Sequence, residues 1–135
     1  KWSSMTNAQV DSECGASSGS NSLRFSGKFF RWAATESLEV SYGGRLEADV
    51  LISPIGFDDS HPLCKTSYQG GVTVQYSIDN GGSYTDIGYY DSPTYRDASF
   101  FHIALELPTR AHTNHTQFRF VQYTFEDERD AWALD

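Results

Sequence analysis

The sequence predicts an all-β fold, a single antiparallel β-sandwich of the jelly-roll type. The chain has 135 residues, a length that fits one domain. Aromatic residues make up 15 % of it, and Phe, Tyr and Trp favour the half-buried faces of strands. Short segments alternate between apolar and polar residues with turn residues between them, and we find no amphipathic helix.

The N-terminal part of the chain differs in composition from the rest. Residues 1–22 are small and polar, and they predict an irregular arm that packs on the body of the domain, residues 23–135. Alternation then predicts a pair of strands at 23–25 and 29–32, joined across a short turn that contains Gly27.

Further strands are predicted along the body of the domain. Residues 53–69 contain two prolines and an acidic pair, and they predict a long loop. Phe118, Phe120 and Tyr123 are expected to anchor the core. The predicted strands lie at 37–42, 45–52, 72–78, 84–90, 100–107, 118–123 and, closing the chain, 131–134.

The two cysteines and one sequon favour a secreted protein. Cys14 and Cys64 are fifty positions apart, which fits neither a zinc finger nor a redox Cys-x-x-Cys motif. The pair therefore predicts one disulfide, with two unpaired buried thiols as the alternative. Asn114 begins an Asn-His-Thr sequon, which predicts N-glycosylation. Together these features indicate an oxidising, extracellular compartment.

The charge of the chain excludes several classes of partner. The net charge is −8, with ten basic residues that do not cluster. Nucleic acids and anionic membrane surfaces both require clustered Lys and Arg, so we expect neither as a partner. No apolar run approaches the ~20 residues that span a bilayer, so we expect no membrane insertion. The acidic charge favours cations or basic partner surfaces, or serves only to keep the domain in solution.

The sharpest local motif is an Asp-box, Ser-x-Asp-x-Gly-x-x-aromatic, formed by Ser77, Asp79, Gly81 and Tyr84. Its Asp side chain accepts hydrogen bonds from the turn, its Gly takes a positive φ, and its aromatic ring packs beneath the hairpin. Sialidases contain several such boxes on propeller blades, and a single box cannot build a propeller. We therefore interpret the motif as a structural staple. No Ser–His–Asp order, phosphate loop or reactive cysteine is evident, so we expect no enzymatic activity.

Several segments, taken in order, resemble the reelin subrepeat family. They are the opening from Trp2 to Cys14-Gly15, residues 22–27, 31–39, 74–84, 107–120 and 130–135. The resemblance implies a jelly-roll sandwich, an extracellular matrix location, arrays of repeats and bound calcium. The chain has no six-cysteine EGF-like segment, so we expect a single subrepeat. It also stops at Asp135, where the family pattern continues, so we expect an excised fragment.

The calcium that the resemblance implies needs six to eight oxygen ligands, several of them carboxylates. Glu39 matches an acidic position of the family pattern, and Asp130 and Asp135 flank the closing strand. We expect these three residues to contribute to a structural site that ties the ends of the domain together. The alternative is solvated surface charge.

We expect the chain to be a non-catalytic extracellular interaction module, one subrepeat of a larger secreted glycoprotein. Its expected partners are extracellular proteins or receptors and the neighbouring repeats of its parent chain. The alternative is a carbohydrate-binding module in which exposed aromatic rings stack on sugars. The tyrosines that could form such a platform are Tyr84, Tyr89, Tyr90 and Tyr95. Adhesion jelly rolls of the laminin domain-IV or MAM type share the architecture and the compartment.

Overall fold

A computed structural model of the chain describes residues 1–52, 64, 70–91, 99–123 and 131–135. These residues contain ten strands and one turn of 3-10 helix at Thr109–Ala111. The strands are β1 (Trp2–Thr6), β2 (Ala8–Asp11), β3 (Ser22–Phe25), β4 (Arg31–Thr35), β5 (Arg45–Leu51), β6 (Gly71–Ser77), β7 (Thr85–Asp91), β8 (Phe101–Glu106), β9 (Gln117–Gln122) and β10 (Trp132–Leu134). No helix in the described part of the chain is long and apolar enough to cross a membrane.

The strands form two five-stranded sheets. The first sheet has the order β1-β4-β9-β6-β7, and the second has the order β2-β3-β10-β5-β8. All pairings within both sheets are antiparallel. The predicted all-β sandwich is therefore confirmed.

The core lies between the two sheets and follows from the alternation of apolar residues. Val72 and Val74 of the first sheet face Leu23, Val50 and other apolar residues of the second sheet, and all four are buried. The rings of Phe25 and Trp132 stack with their centroids 3.7 Å apart, and both side chains are fully buried. Burying large aromatic side chains contributes most of the stabilisation of such a core.

The predicted disulfide joins Cys14 to Cys64. Both cysteines are buried in a small apolar cluster with Leu51, Ala131 and Ala133. The crosslink therefore lies against β5 and β10, two neighbouring strands of the second sheet. It ties the N-terminal segment to the body of the domain.

The expectation of an irregular arm at residues 1–22 was wrong, because this segment contains β1 and β2. The two strands are edge strands of opposite sheets, and the chain passes from one sheet to the other at Asn7. Asn7 has a left-handed φ of 51°, and its side-chain amide donates hydrogen bonds to the carbonyl oxygens of Lys28 and Phe30. Edge strands with mostly exposed side chains lack the apolar alternation by which strands are recognised.

The expected pairing of residues 23–25 with 29–32 was also wrong. β3 pairs with β2 and β10 in the second sheet, whereas β4 pairs with β1 and β9 in the first. The connection between them crosses the sandwich and has positive φ angles at Gly27 and Phe29. A short, glycine-containing connection is equally compatible with a hairpin or with a crossing between sheets, so sequence alone did not separate them.

Two smaller expectations need correction. Residues 37–42 do not form a strand; the segment makes only an isolated bridge between Leu38 and Thr116. Tyr123 was expected in the core, but its side chain is 52 % exposed. The other predicted strands are present to within three residues of their expected ends. The long loop predicted at 53–69 lies outside the described residues except for Cys64.

Candidate functional site

The outward side of the first sheet combines hydrogen-bonded polar side chains with tyrosine rings. In β6, Val72 and Val74 face the core, so Thr73 and Gln75 between and after them face outward. The neighbouring strands β7 and β9 place further polar and aromatic side chains beside them. We call the following six residues the outer face: Gln75, Tyr84, Asp86, Tyr89, Arg119 and Tyr123.

Three residues of the outer face form one row across three strands. Gln75 lies in register with Asp86 on one side and with Arg119 on the other. Its side-chain Nε2 donates a hydrogen bond of 2.6 Å to Asp86 Oδ1. Its Oε1 accepts hydrogen bonds from Nε and Nη2 of Arg119, at 2.8 and 2.6 Å. Gln75 is only 5 % exposed, so this buried amide depends on these partners.

Tyr123 closes the network at the end of β9. Its hydroxyl lies 3.0 Å from Arg119 Nη2 and 3.1 Å from Gln75 Nε2. The hydroxyl is thus fixed by the row while half of the side chain remains exposed. Tyr123 therefore lies at the surface, on the side of the chain that Arg119 occupies, and not in the core as expected.

The Asp-box turn holds the ring beneath Arg119. Asp79 Oδ1 accepts hydrogen bonds from the Ser77 hydroxyl at 2.7 Å and from the Ser83 backbone N–H at 2.9 Å, and Oδ2 accepts one from the Ser83 hydroxyl at 2.7 Å. Gly81 follows with a φ of 83°. The turn ends at Tyr84, whose ring centroid lies 3.6 Å from Arg119 Cζ, a cation–π contact.

Gly81 and Ser77 complete the predicted motif. Glycine is favoured at position 81 for two reasons. It adopts the positive φ without strain, and a Cβ there would lie only 3.1 Å from the Tyr84 hydroxyl and crowd the ring. The Ser77 hydroxyl accepts a hydrogen bond of 2.9 Å from the Gly81 N–H. The motif is therefore a turn staple whose aromatic residue also supports the outer face.

The Tyr89 side chain reaches across the neighbouring strand. A Cβ built at Gly71 would overlap the phenol of Tyr89, so the ring passes over the backbone of β6 where the chain has no side chain. Tyr89 is 59 % exposed, which leaves the outward side of the ring in contact with solvent. An exposed aromatic ring next to the sheet is a typical surface for stacking a ligand.

The four tyrosines expected to form one platform do not lie together. Tyr90 packs against the core and its ring contacts Phe101, with centroids 6.1 Å apart. Adjacent residues of a strand point to opposite faces, so Tyr89 and Tyr90 cannot share a platform. Tyr84 is half-buried under Arg119, and Tyr95 lies outside the described residues.

The predicted calcium ligands occupy different surroundings. Glu39 Oε1 accepts the Ser41 backbone N–H, and hydrogen bonds from Ser41 lower the pKa of Glu39. Asp135 Oδ2 accepts the Ser18 backbone N–H at 2.6 Å. Asp130 lies outside the described residues. Among the residues the structure describes, no three His, Cys, Asp or Glu side chains are grouped to hold a metal ion. The calcium site therefore stays a prediction.

The sequon lies in the turn before β9. Asn114 is exposed, and its Oδ1 is 2.6 Å from Nδ1 of His115. Thr116, by contrast, is fully buried and donates a hydrogen bond of 2.6 Å to the carbonyl oxygen of Ala111. A glycan on Asn114 would project into solvent, whereas the sequon threonine belongs to the fold.

Comparison with known proteins identifies the family and the fold. A family model described as Reelin subrepeat B matches residues 7–135. Among solved structures, TmCBM61 in complex with β-1,4-galactotriose has a TM-score of 0.60 at 12 % identity, covering 99 % of this chain and 83 % of that one. The C-terminal family 22 carbohydrate-binding module of Clostridium thermocellum Xyn10B has a TM-score of 0.61 at 14 % identity, covering 99 % and 82 %.

A third similar structure is Caldicellulosiruptor saccharolyticus CBM27-1 in complex with mannohexaose. It has a TM-score of 0.54 at 16 % identity, covering 97 % of this chain and 80 % of that one. At these identities the likeness establishes a shared fold alone. It confirms the jelly-roll sandwich that the sequence predicted.

The Asp-box predicts a pH-dependent stability. Hydrogen bonds from Ser83 and Ser77 lower the pKa of Asp79 from 3.8 to about 2. A carboxylate with a depressed pKa stabilises the folded state above its unfolded pKa, and this contribution is lost as pH falls from 3.8 through about 2. We therefore expect Asp79→Ala to lower the melting temperature at pH 6, with the difference from wild type shrinking as pH falls below 4.

Thermal melting of both proteins from pH 6 to pH 2 measures this difference. Glu13→Ala, which removes an exposed carboxylate on another part of the surface, serves as the control and should change little. A difference between Asp79→Ala and wild type that stayed constant over this pH range would contradict the assignment.

Proposed function

Because the chain belongs to the reelin subrepeat B family, whose domains are extracellular, we propose that it is a non-catalytic interaction module. In this proposal it is one subrepeat of a larger secreted glycoprotein, and it contacts extracellular proteins or receptors and the neighbouring repeats of its parent. The observation that carries the proposal is the outer face, where exposed tyrosine rings lie on a hydrogen-bonded polar row.

The outer face suits recognition because its side chains are already ordered. Arg119 is held by Gln75, Tyr84 and Tyr123, so a ligand does not have to immobilise it. Pre-ordered side chains reduce the entropy lost on binding. Tyr and Arg are also the residue types that most often dominate binding energy at interfaces.

An extracellular location is supported by two further features. The Cys14–Cys64 disulfide belongs to an oxidising compartment, since cytosolic thiols are kept reduced. The exposed Asn114 adds an N-glycosylation acceptor. We include glycosylation and a structural calcium ion in the proposal.

A second candidate function is carbohydrate binding, and a specific observation favours it. The Tyr89 ring reaches over Gly71 and is 59 % exposed, and the apolar face of a sugar ring can stack on an exposed aromatic ring. Asp86 and Arg119 lie beside it and offer an acceptor and a donor for sugar hydroxyls. The similar structures include modules solved with β-1,4-galactotriose and with mannohexaose.

Removal of the Tyr89 ring tests the outer face as the interaction surface. We expect Tyr89→Ala to weaken binding of the labelled domain to extracellular matrix laid down by cultured cells by about tenfold, as for an interface hot spot. The matched control is Tyr42→Ala, because Tyr42 is fully exposed and lies in the turn before β5. Equal binding of the two variants would exclude Tyr89 from the interaction surface.

Glycosylation is tested at Asn114 itself. We expect the domain secreted from mammalian cells to lose mass on enzymatic removal of N-glycans, and Asn114→Gln to abolish this loss. Asn114→Gln is preferred to a change at Thr116, which is buried and would also disturb the turn. An unchanged mass for the wild-type protein after treatment would contradict the proposal.

Calcium is tested by its effect on stability. A ligand that binds only the folded state raises the melting temperature. We therefore expect EDTA to lower the melting temperature of the domain and added Ca²⁺ to restore it, with Mg²⁺ as the control ion. A melting temperature unaffected by EDTA would argue against a structural calcium site.

A further inference from the structure

We propose that the outer face binds a neutral, hydroxyl-rich oligosaccharide and discriminates against anionic glycans. This inference rests on carbohydrate binding, the second candidate function above. It is carried by the way Arg119 is already bonded within the protein and by the charge that lies beside it.

Most N–H donors of the Arg119 guanidinium are already hydrogen-bonded within the protein, so few remain to bind an anion. Its Nε–H and one Nη2–H donate to Gln75 Oε1, and the second Nη2–H points to the Tyr123 hydroxyl. Arg recognises carboxylate or sulfate through two parallel N–H donors. The Nε and Nη2 pair that forms this fork is occupied by an uncharged amide, so within the described structure only Nη1 remains as a donor. The remaining N–H groups of Nη1 can donate a hydrogen bond to a hydroxyl oxygen of a neutral sugar.

The face of the guanidinium is occupied as well. The Tyr84 ring covers it at 3.6 Å, and the Asp-box turn fixes that ring. Arg119 therefore cannot rotate toward a ligand without losing both the cation–π contact and the bonds that satisfy the buried Gln75 amide. These contacts therefore fix the direction in which Nη1 of Arg119 can donate a hydrogen bond.

The charge of Arg119 is balanced across the row. Asp86 lies on the other side of Gln75 and is exposed, with Oδ1 bonded to Gln75 Nε2. Among the described residues its Oδ2 has no hydrogen-bond partner, so it can accept a hydrogen bond from a sugar hydroxyl. A carboxylate or sulfate placed there would meet a negative charge, in a chain whose net charge is −8.

The apolar part of the site lies along the same strand. Tyr89 follows Asp86 in β7 after a one-residue irregularity opposite Val74 and Gln75. Their partners in β6, Thr73 and Gln75, are two positions apart, so the two residues are separated by roughly 7 Å at the rise of a β-strand. A ligand that stacks on Tyr89 and bonds to Asp86 must therefore combine an apolar ring face with hydroxyl groups over this distance, which describes an oligosaccharide of neutral sugars.

A glycan array that carries neutral, sialylated, uronic-acid and sulfated oligosaccharides tests this inference with the purified domain. We expect binding to neutral oligosaccharides only, with little change between about 0.05 and 0.5 M NaCl, because salt screens charge–charge attraction but not hydroxyl bonds or stacking. We expect Tyr89→Ala and Gly71→Ala each to reduce binding about tenfold or more, and Tyr42→Ala to leave it unchanged.

Gly71→Ala is the sharper of the two variants, because it keeps the tyrosine and only displaces its ring. The group it displaces is an exposed side chain rather than backbone, so the fold should persist, and thermal melting verifies this. Loss of binding in Tyr89→Ala but full binding in Gly71→Ala would overturn the position of the ring over Gly71 as the cause of recognition.

Two outcomes separate this inference from the functions on which it rests. Binding to sialylated or sulfated oligosaccharides that weakens with salt would overturn the neutral class and retain carbohydrate binding. An array without any binding, together with matrix binding that depends on Tyr89, would remove carbohydrate as the ligand and leave a protein-interaction module.

Discussion

The second sheet depends on its central strand, β10, which is only three residues long and lies between β3 and β5. All three residues of β10 are buried, and Trp132 stacks on Phe25 of β3 at 3.7 Å. The sheet therefore forms only when the last residues of the chain meet segments from its first half. Such pairing over long sequence distances makes folding slow but cooperative. The disulfide packs against the same strand, next to Ala133 of β10 and Leu51 of β5, and so supports the pairing of these two strands.

The first sheet contains one local pairing, that of β6 with β7, and this hairpin contributes most of the candidate site. β6 and β7 form a hairpin, and the Asp79 carboxylate fixes its turn. The turn positions Tyr84, Tyr84 supports Arg119, and Arg119 completes the hydrogen bonds of Gln75. Each step is a direct contact, so a local turn motif determines the geometry of a surface formed by three strands. A surface supported in this way loses little entropy when it binds.

The sequence predicted those features that depend on local chemistry. The Asp-box and the alternation in β6 each specify a conformation within about eight residues, and the cysteine pair allowed only one intramolecular disulfide. The row of Asp86, Gln75 and Arg119 was missed, because polar residues on different strands show no common pattern until the register brings them together. Gly71 could have been noticed in the sequence. It directly precedes the predicted strand 72–78, and a glycine in a strand often marks a close approach by another group.

If the outer face binds a ligand as proposed, its internal hydrogen bonds also limit how strongly one domain can bind. Gln75 is satisfied by its neighbours, and Arg119 and Asp86 each retain one free hydrogen-bonding edge within the described structure. Together with one exposed ring at Tyr89, these groups offer a ligand few contacts, so a modest affinity is expected for one module. Several such modules on one chain bind a repetitive ligand far more tightly than one does, because each further contact is intramolecular. In the proposed function, a rigid site with few free groups therefore gives selectivity to the single domain, and the strength of binding depends on the number of domains that act together.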